Sequence, residues 1–170
     1  LNSPHNPTGM VMDEDDIAAL SALCAKNDIY LIGDEVYEHM VFDQAKHLSL
    51  CAYEDLYARS FVISSFGKTY HVTGWKVGYC IAPPALTTEF RRVHQYVTFT
   101  VNTPVQLGIA EFLQHHPEHH QRLPGFYQAK RDLFCELLKG SRFTVSPSQG
   151  TYFQLLGFAA ISSESDSALA

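Results

Sequence analysis

Lys68 stands where a lysine can do chemistry. It follows the run Arg59-Ser60-Phe61-Val62-Ile63-Ser64, and a short apolar run bounded by turn residues predicts a buried strand. The lysine then lies just beyond a strand's carboxyl end, where open α/β sheets hold their ligands. An amine there can be stripped of water and condense with a carbonyl. Phosphate binding is the competing chemistry, because Gly67-Lys68-Thr69 matches the end of a P-loop. That motif also needs a glycine at position 62, which is Val62 here. Two upstream clusters carry further polar groups: Ser3-Pro4-His5-Asn6-Pro7-Thr8-Gly9 and Gly33-Asp34-Glu35-Val36-Tyr37-Glu38.

The elements that must position these residues alternate between helix and strand. Two X-Pro steps and Gly9 shape a turn that presents His5 and Asn6 at a rim. Asp13 is a helix cap, with acids in the first turn and Ile17, Leu20, Leu23 and Cys24 on the buried face. Ile29 to Gly33 reads as a buried parallel strand with Asp34 at its carboxyl end. A short helix is expected around Tyr53 to Tyr57, then the strand that leads to Lys68. Lys76 to Ala82 is a further strand. Helical faces follow over Glu89 to Phe99 (Phe90, Val93, Val97), after Asn102-Thr103-Pro104 (Val105, Ile109, Phe112, Leu113), and from Pro117 or Pro124 to Gly140. The last of these is expected to bury Phe126, Leu133, Phe134, Leu137 and Leu138. Strands at Thr144-Val145 and Thr151 to Leu156 flank a turn from Pro147 to Gly150.

Composition excludes several classes. The 170 residues are 46% hydrophobic and 18% charged, which suits a globular protein with a sizeable core. No apolar run is long enough to cross a bilayer, and no secretory leader is evident, so a cytoplasmic location and no membrane partner are expected. A formal net charge of -6 with scattered basic residues argues against a nucleic-acid partner. Cys24, Cys51, Cys80 and Cys135 lack metal-ligand spacing and read as reduced core thiols. In His115-His116-Pro117-Glu118-His119-His120, Pro117 interrupts any i, i+4 ligand pair; the reading is an exposed polar helix junction, and no metal ligand is assigned. The opening on a leucine and the polar tail from Ser162 predict a piece of a longer protein.

The three clusters, in this order, resemble the large domain of the class I/II aminotransferases, fold-type-I enzymes that use pyridoxal 5'-phosphate (PLP). The wording Ser64-Ser65-Phe66-Gly67-Lys68-Thr69-Tyr70-His71 and Phe99-Thr100-Val101-Asn102-Thr103-Pro104 is most similar to the methionine and kynurenine aminotransferase branch. The resemblance runs from Leu1 to about Leu156. It implies an incomplete α/β PLP-binding large domain with a mostly parallel sheet and three layers, together with interdomain helices, over residues 1–140. Residues 141–170 would begin the small carboxyl-terminal domain.

The resemblance also implies residue roles. Lys68 would hold the cofactor's aldehyde and act as general base. Asp34 would pair with the pyridine nitrogen, Asn6 and Tyr37 with the ring's 3-oxygen, and Ser65 and Lys76 with the phosphate. Where many relatives carry arginine, Lys76 offers a point charge without the bidentate fork. The Gly-rich phosphate loop, the ring-stacking aromatic and the carboxylate-binding arginine of the family would lie outside the chain. The implied reaction moves an amino group from an amino acid, methionine or aromatic, to a 2-oxo acid, in a homodimeric parent. The isolated chain is expected to be inactive. A C–S β-lyase on the same fold, or a truncated product without activity, remain the alternatives.

Overall fold

Asp13 starts helix α1 (Glu14–Asn27) with a reciprocal cap: its carboxylate accepts from Asp16 N at 2.9 Å, and the Asp16 carboxylate accepts from Asp13 N at 3.1 Å. The helix ends at Asp28, which takes the left-handed conformation. Ile17 and Cys24 are buried and Leu20 packs beside them, whereas Leu23 turns to solvent. The computed structural model, which describes residues 1–169, places α1 on one face of a small sheet.

That sheet is built from β1 (Leu31–Asp34), β2 (Ser60–Ser65) and β3 (Gly78–Ile81) in this order. Leu31 pairs with Ser60 and Asp34 with Ile63 in parallel register, and Ser65 pairs with Gly78 in antiparallel register. The first residues lie along the free edge of β1, with a parallel bridge between Asn2 and Asp34. Three chain segments are therefore parallel and β3 alone reverses. The link between β2 and β3, residues 66–77, contains no long helix of the kind that usually carries a parallel crossover. That link holds one helical turn, α3 (Phe66–Thr69), and a 3-10 turn, Thr73–Trp75.

The core on the α1 face joins Ile17, Leu50, Leu56 and Val62. Leu50 belongs to a 3-10 turn, Leu50–Ala52, and Leu56 to α2 (Glu54–Tyr57), so the expected short helix is present as two adjoining turns. The other face is less covered: Ile32 is 62% exposed, which corrects the expectation of a strand buried on both sides. Helix α4 (Pro84–Val97) reaches this face through Phe90, whose ring lies 6.1 Å from that of Phe61. It begins five residues before the expected Glu89, because proline is tolerated in a first helical turn. Val93 and Val97 on its stripe remain exposed.

Asn102 caps α5 (Thr103–His115) by accepting from Val105 N, and Ile109 is its buried residue. A 3-10 turn, His119–Arg122, leads into α6 (Leu123–Leu137). The stripe expected to be buried on α6 is not: Leu133 is 61% and Leu137 74% exposed, and Phe126 and Phe134 are exposed as well. The inward edge is instead Leu123, Tyr127 and Arg131, at i, i+4 and i+8, with Leu123 packed on Tyr37 and Met40. Sequence reasoning followed the most apolar stripe, whereas the packed stripe contains a tyrosine and an ion-paired arginine.

The final segment forms β4 (Thr144–Val145) and β5 (Leu156–Gly157), paired antiparallel, with a last helical turn, α7 (Asp166–Leu169). Thr151 to Leu155, expected as strand, docks instead on the loop after β1. Phe42 N donates to Gln149 O and Thr151 N to Met40 O, both at 2.8 Å. Only glycine fits at position 150, where a Cβ would stand 2.7 Å from Met40 O. Among the described residues no helix is long and apolar enough to cross a membrane, and all four cysteines are free, with only Cys24 fully buried.

Candidate active site

Because the leading segment, β1 and β2 run parallel, their carboxyl ends share one edge of the sheet. Asn6 lies in the loop after the first, Asp34 and Tyr37 end and follow the second, and Ser65 and Lys68 end and follow the third. Asn2, which sequence reasoning passed over, ties two of these loops together. Its Oδ1 accepts from Asn6 N at 2.7 Å and its Nδ2 donates to Asp34 O at 2.9 Å. Its place in the Asn2-to-Gly9 turn was the available signal.

Asp34 Oδ1 accepts from Val36 N at 3.1 Å, an Asx turn that leaves the carboxylate at an exposed rim. The turn continues through Glu38 N to Glu35 O and drops Tyr37 into the interior, 2% exposed. Ser65 caps α3, its Oγ accepting from Gly67 N at 3.0 Å and donating to Val77 O at 3.3 Å. Lys68 is thus half-buried in a helical turn just beyond the end of β2. Among the described residues it has no ion pair, and its Nζ lies 5.8 Å from the centroid of the Tyr152 ring. Lys76 is exposed, in left-handed conformation at the end of Thr73–Trp75. The bond from Phe66 N to Val77 O holds its neighbour beside the lysine turn, but no side-chain contact joins Lys76 to Ser65 among the described residues.

Tyr152 is the residue the sequence hid, since Thr151-Tyr152-Phe153 reads as strand. Its hydroxyl receives a hydrogen bond from Tyr37 OH at 3.4 Å, and the two rings meet edge to face at 5.4 Å. An aromatic two residues after a glycine turn was the only hint; its pairing with Tyr37 leaves no local trace. Burial, the Tyr152 hydrogen bond and charge and the charge of Asp34 together push the Tyr37 phenol well above its ordinary pKa. Tyr37 therefore stays a neutral donor.

Two glutamates brace the loop that carries Asp34 and Tyr37. Glu35 is buried; its Oε1 accepts from Leu50 N at 2.9 Å and its Oε2 faces His47 Nε2 at 2.8 Å. Glu38 Oε1 accepts from Ser64 Oγ at 2.6 Å and Tyr79 OH at 2.7 Å, which joins this loop to β2 and β3. Burial, offset partly by Ser64 and reinforced by Glu38, pushes the Tyr79 phenol up to about 12. The oxygens of Glu35 and Glu38 and a ring nitrogen of His47 converge within 4.8 Å; both Glu35 oxygens and Glu38 Oε1 already hold hydrogen bonds, while His47 Nδ1 is buried without a partner among the described residues.

An α/β sheet that gathers an unpaired amine, a carboxylate and a neutral phenol at its carboxyl edge has the layout of a fold-type-I PLP enzyme. The chain belongs to the aminotransferase class I and II family, whose model matches residues 1–170, and the family's members use PLP. It is 50% identical to methionine aminotransferase of Escherichia coli K12 over 166 residues, 98% of this chain and 43% of that one. Human kynurenine–oxoglutarate transaminase 3 is 35% identical over 160 residues, 90% of this chain and 35% of that one. A crystal structure of an Escherichia coli methionine aminotransferase superposes with TM-score 0.94 at 49% identity, covering 99% of this chain and 44% of that chain. An aromatic aminotransferase from Pyrococcus horikoshii superposes with TM-score 0.83 at 26% identity, covering 91% and 42%. The chain therefore spans less than half the length of these relatives.

The donor set fits the family's cofactor. Among the described residues neither Lys68 nor Asp34 has an ionic partner, and Tyr37 keeps its proton. Ser65 Oγ accepts from Gly67 N and donates its one proton to Val77 O, so it must release Val77 O before it can donate to a phosphate.

Proposed function

We propose that the whole protein transfers an amino group from an amino acid, of methionine or aromatic type, to a 2-oxo acid. The observation that carries this reading is the convergence of Lys68, Asp34 and Tyr37 on one sheet edge. The similarity to methionine and kynurenine aminotransferases supports the choice of donor.

When bound, PLP supplies an aldehyde that condenses with amines and a ring that withdraws electrons. Lys68 Nζ would hold that aldehyde, and its amine would serve as the base for the proton on the amino acid's α-carbon. Asp34 would supply the negative charge that pairs with the ring nitrogen. Asn6 and Tyr37, the latter turning its proton from Tyr152 OH, would donate to the ring's 3-oxygen, and Ser65 and Lys76 would hold the phosphate. The ring of Tyr152 walls Lys68 and limits the directions its amine can take.

In this reading residues 1–140 belong to the large domain and 141–170 begin a smaller one. The working enzyme is a cytoplasmic homodimer, and residues 1–170 alone are inactive. The full-length protein should convert methionine or kynurenine to the matching oxo acid in step with amination of a 2-oxo acid. Release of ammonia and pyruvate from a sulfur amino acid, without such transfer, would overturn the assignment in favour of a lyase.

A further inference from the structure

Single helical turns leave carbonyl groups without partners unless something caps them. In α3, Phe66 O accepts from Tyr70 N, and Gly67 O from Val72 N and Thr73 Oγ1. The carbonyl of Thr69, directly after Lys68, is met by a side chain 50 residues away: His119 Nε2 lies 2.9 Å from Thr69 O. An oxygen acceptor at that distance requires the proton on Nε2, so the imidazole donates.

The ring cannot swing freely. It stacks on Tyr70 at 5.4 Å and meets His71 and Phe112 edge on, at 5.7 and 5.3 Å. Phe112 in turn meets Tyr70 edge on at 5.7 Å. One imidazole thus contacts Thr69, Tyr70 and His71, the three residues that follow Lys68. The exposed junction expected at His115 to His120 is in this respect wrong, because His119 and His120 are half-buried and His119 reaches the lysine turn.

We propose that His119 is a positioning residue for Lys68, acting through the Thr69 carbonyl. The inference rests on the proposed role of Lys68 in amino transfer. With no ion pair to aim it, the amine takes its direction from the backbone of α3 and from Tyr152. Displacing a reacting group by about 1 Å can cost on the order of a hundredfold in rate.

Two variants of the full-length protein separate the donor from the packing. In His119→Gln the side-chain amide reaches the place of Nε2; in His119→Asn it stops near that of Nδ1. Cofactor-free hydrogen exchange should be near wild type in His119→Gln and about tenfold faster at Tyr70 and Val72 in His119→Asn, with α1 unchanged as control. In the loaded enzyme, His119→Asn should lower kcat roughly tenfold with KM within about twofold, and His119→Gln should restore kcat. Equal exchange in the two variants, or equal kcat, overturns the proposal. The exchange arm needs no activity. A protein whose exchange depends on the donor but which transfers no amino group would therefore refute the functional reading and not the contact.

Discussion

Tyr37 and Tyr152 stand 115 positions apart in sequence and bring their hydroxyls to 3.4 Å. The contact joins the loop after β1 to the segment after Gly150, and Tyr152 also lies over Lys68. Tyr152→Phe keeps the ring and removes the hydroxyl. It should let Tyr37 ionise at lower pH, because two of the causes raising its pKa, the hydrogen bond to Tyr152 and the Tyr152 charge, disappear while burial remains. It should also cost about 0.5–1.5 kcal/mol of stability. Tyrosine-selective NMR titration and urea unfolding check both effects, and an unmoved Tyr37 titration would count against the contact.

Asp34 is expected to act on charge and not on architecture, since among the described residues its one side-chain hydrogen bond is the local one from Val36 N. In the full-length protein, Asp34→Ala should still take up cofactor while kcat falls by roughly 10²–10³, the loss typical of removing one preorganised charge-stabilising group. Near-normal turnover would remove Asp34 from the site.

Glu35 should make stability depend on acid. Burial alone would raise its pKa, but the His47, Leu50 and Ser49 hydrogen bonds and the His47 charge outweigh it and hold the carboxyl below 4.5. The folded state therefore favours the ionised form. Its stabilisation is full above 4.5 and is lost as pH falls through the lowered folded value. Urea midpoints followed downward through this range should fall less steeply in Glu35→Gln than in wild type. Identical slopes would show that another group carries the dependence.

Arg131 holds α6 to the loop after β1. Its guanidinium is 7% exposed, bonds both Asp43 oxygens at 2.7 and 3.0 Å, and donates to Ser148 O at 2.7 Å. Lysine lacks the fork needed for all three contacts. Arg131→Lys should destabilise the protein by about 1.5–3 kcal/mol, measured by chemical unfolding. An unchanged midpoint would mean that the ion pair contributes nothing net.

The strand-to-lysine order, the cap at Asp13 and the acid at the end of β1 were legible because each is local: a cap is read three residues along, and a buried strand by its apolar run. The partners of those residues were not. Tyr152, His119 and Asn2 reach the candidate site through hydrogen bonds and ring contacts that sequence spacing does not encode. The α6 stripe failed for a related reason. Hydrophobicity marks the face that can be buried, while Arg131 and Tyr127 show that the packed face is chosen by its partners.

Borohydride reduction of the full-length protein loaded with PLP tests the central claim most directly. Lys68 and Lys76 are eight residues apart, yet one is half-buried over Tyr152 and the other exposed in a left-handed turn. Peptide mapping should find the phosphopyridoxyl group on Lys68 and not on Lys76, and Lys68→Ala should abolish both label and amino transfer. Label on Lys76, or spread over surface lysines such as Lys46 and Lys139, would contradict the account.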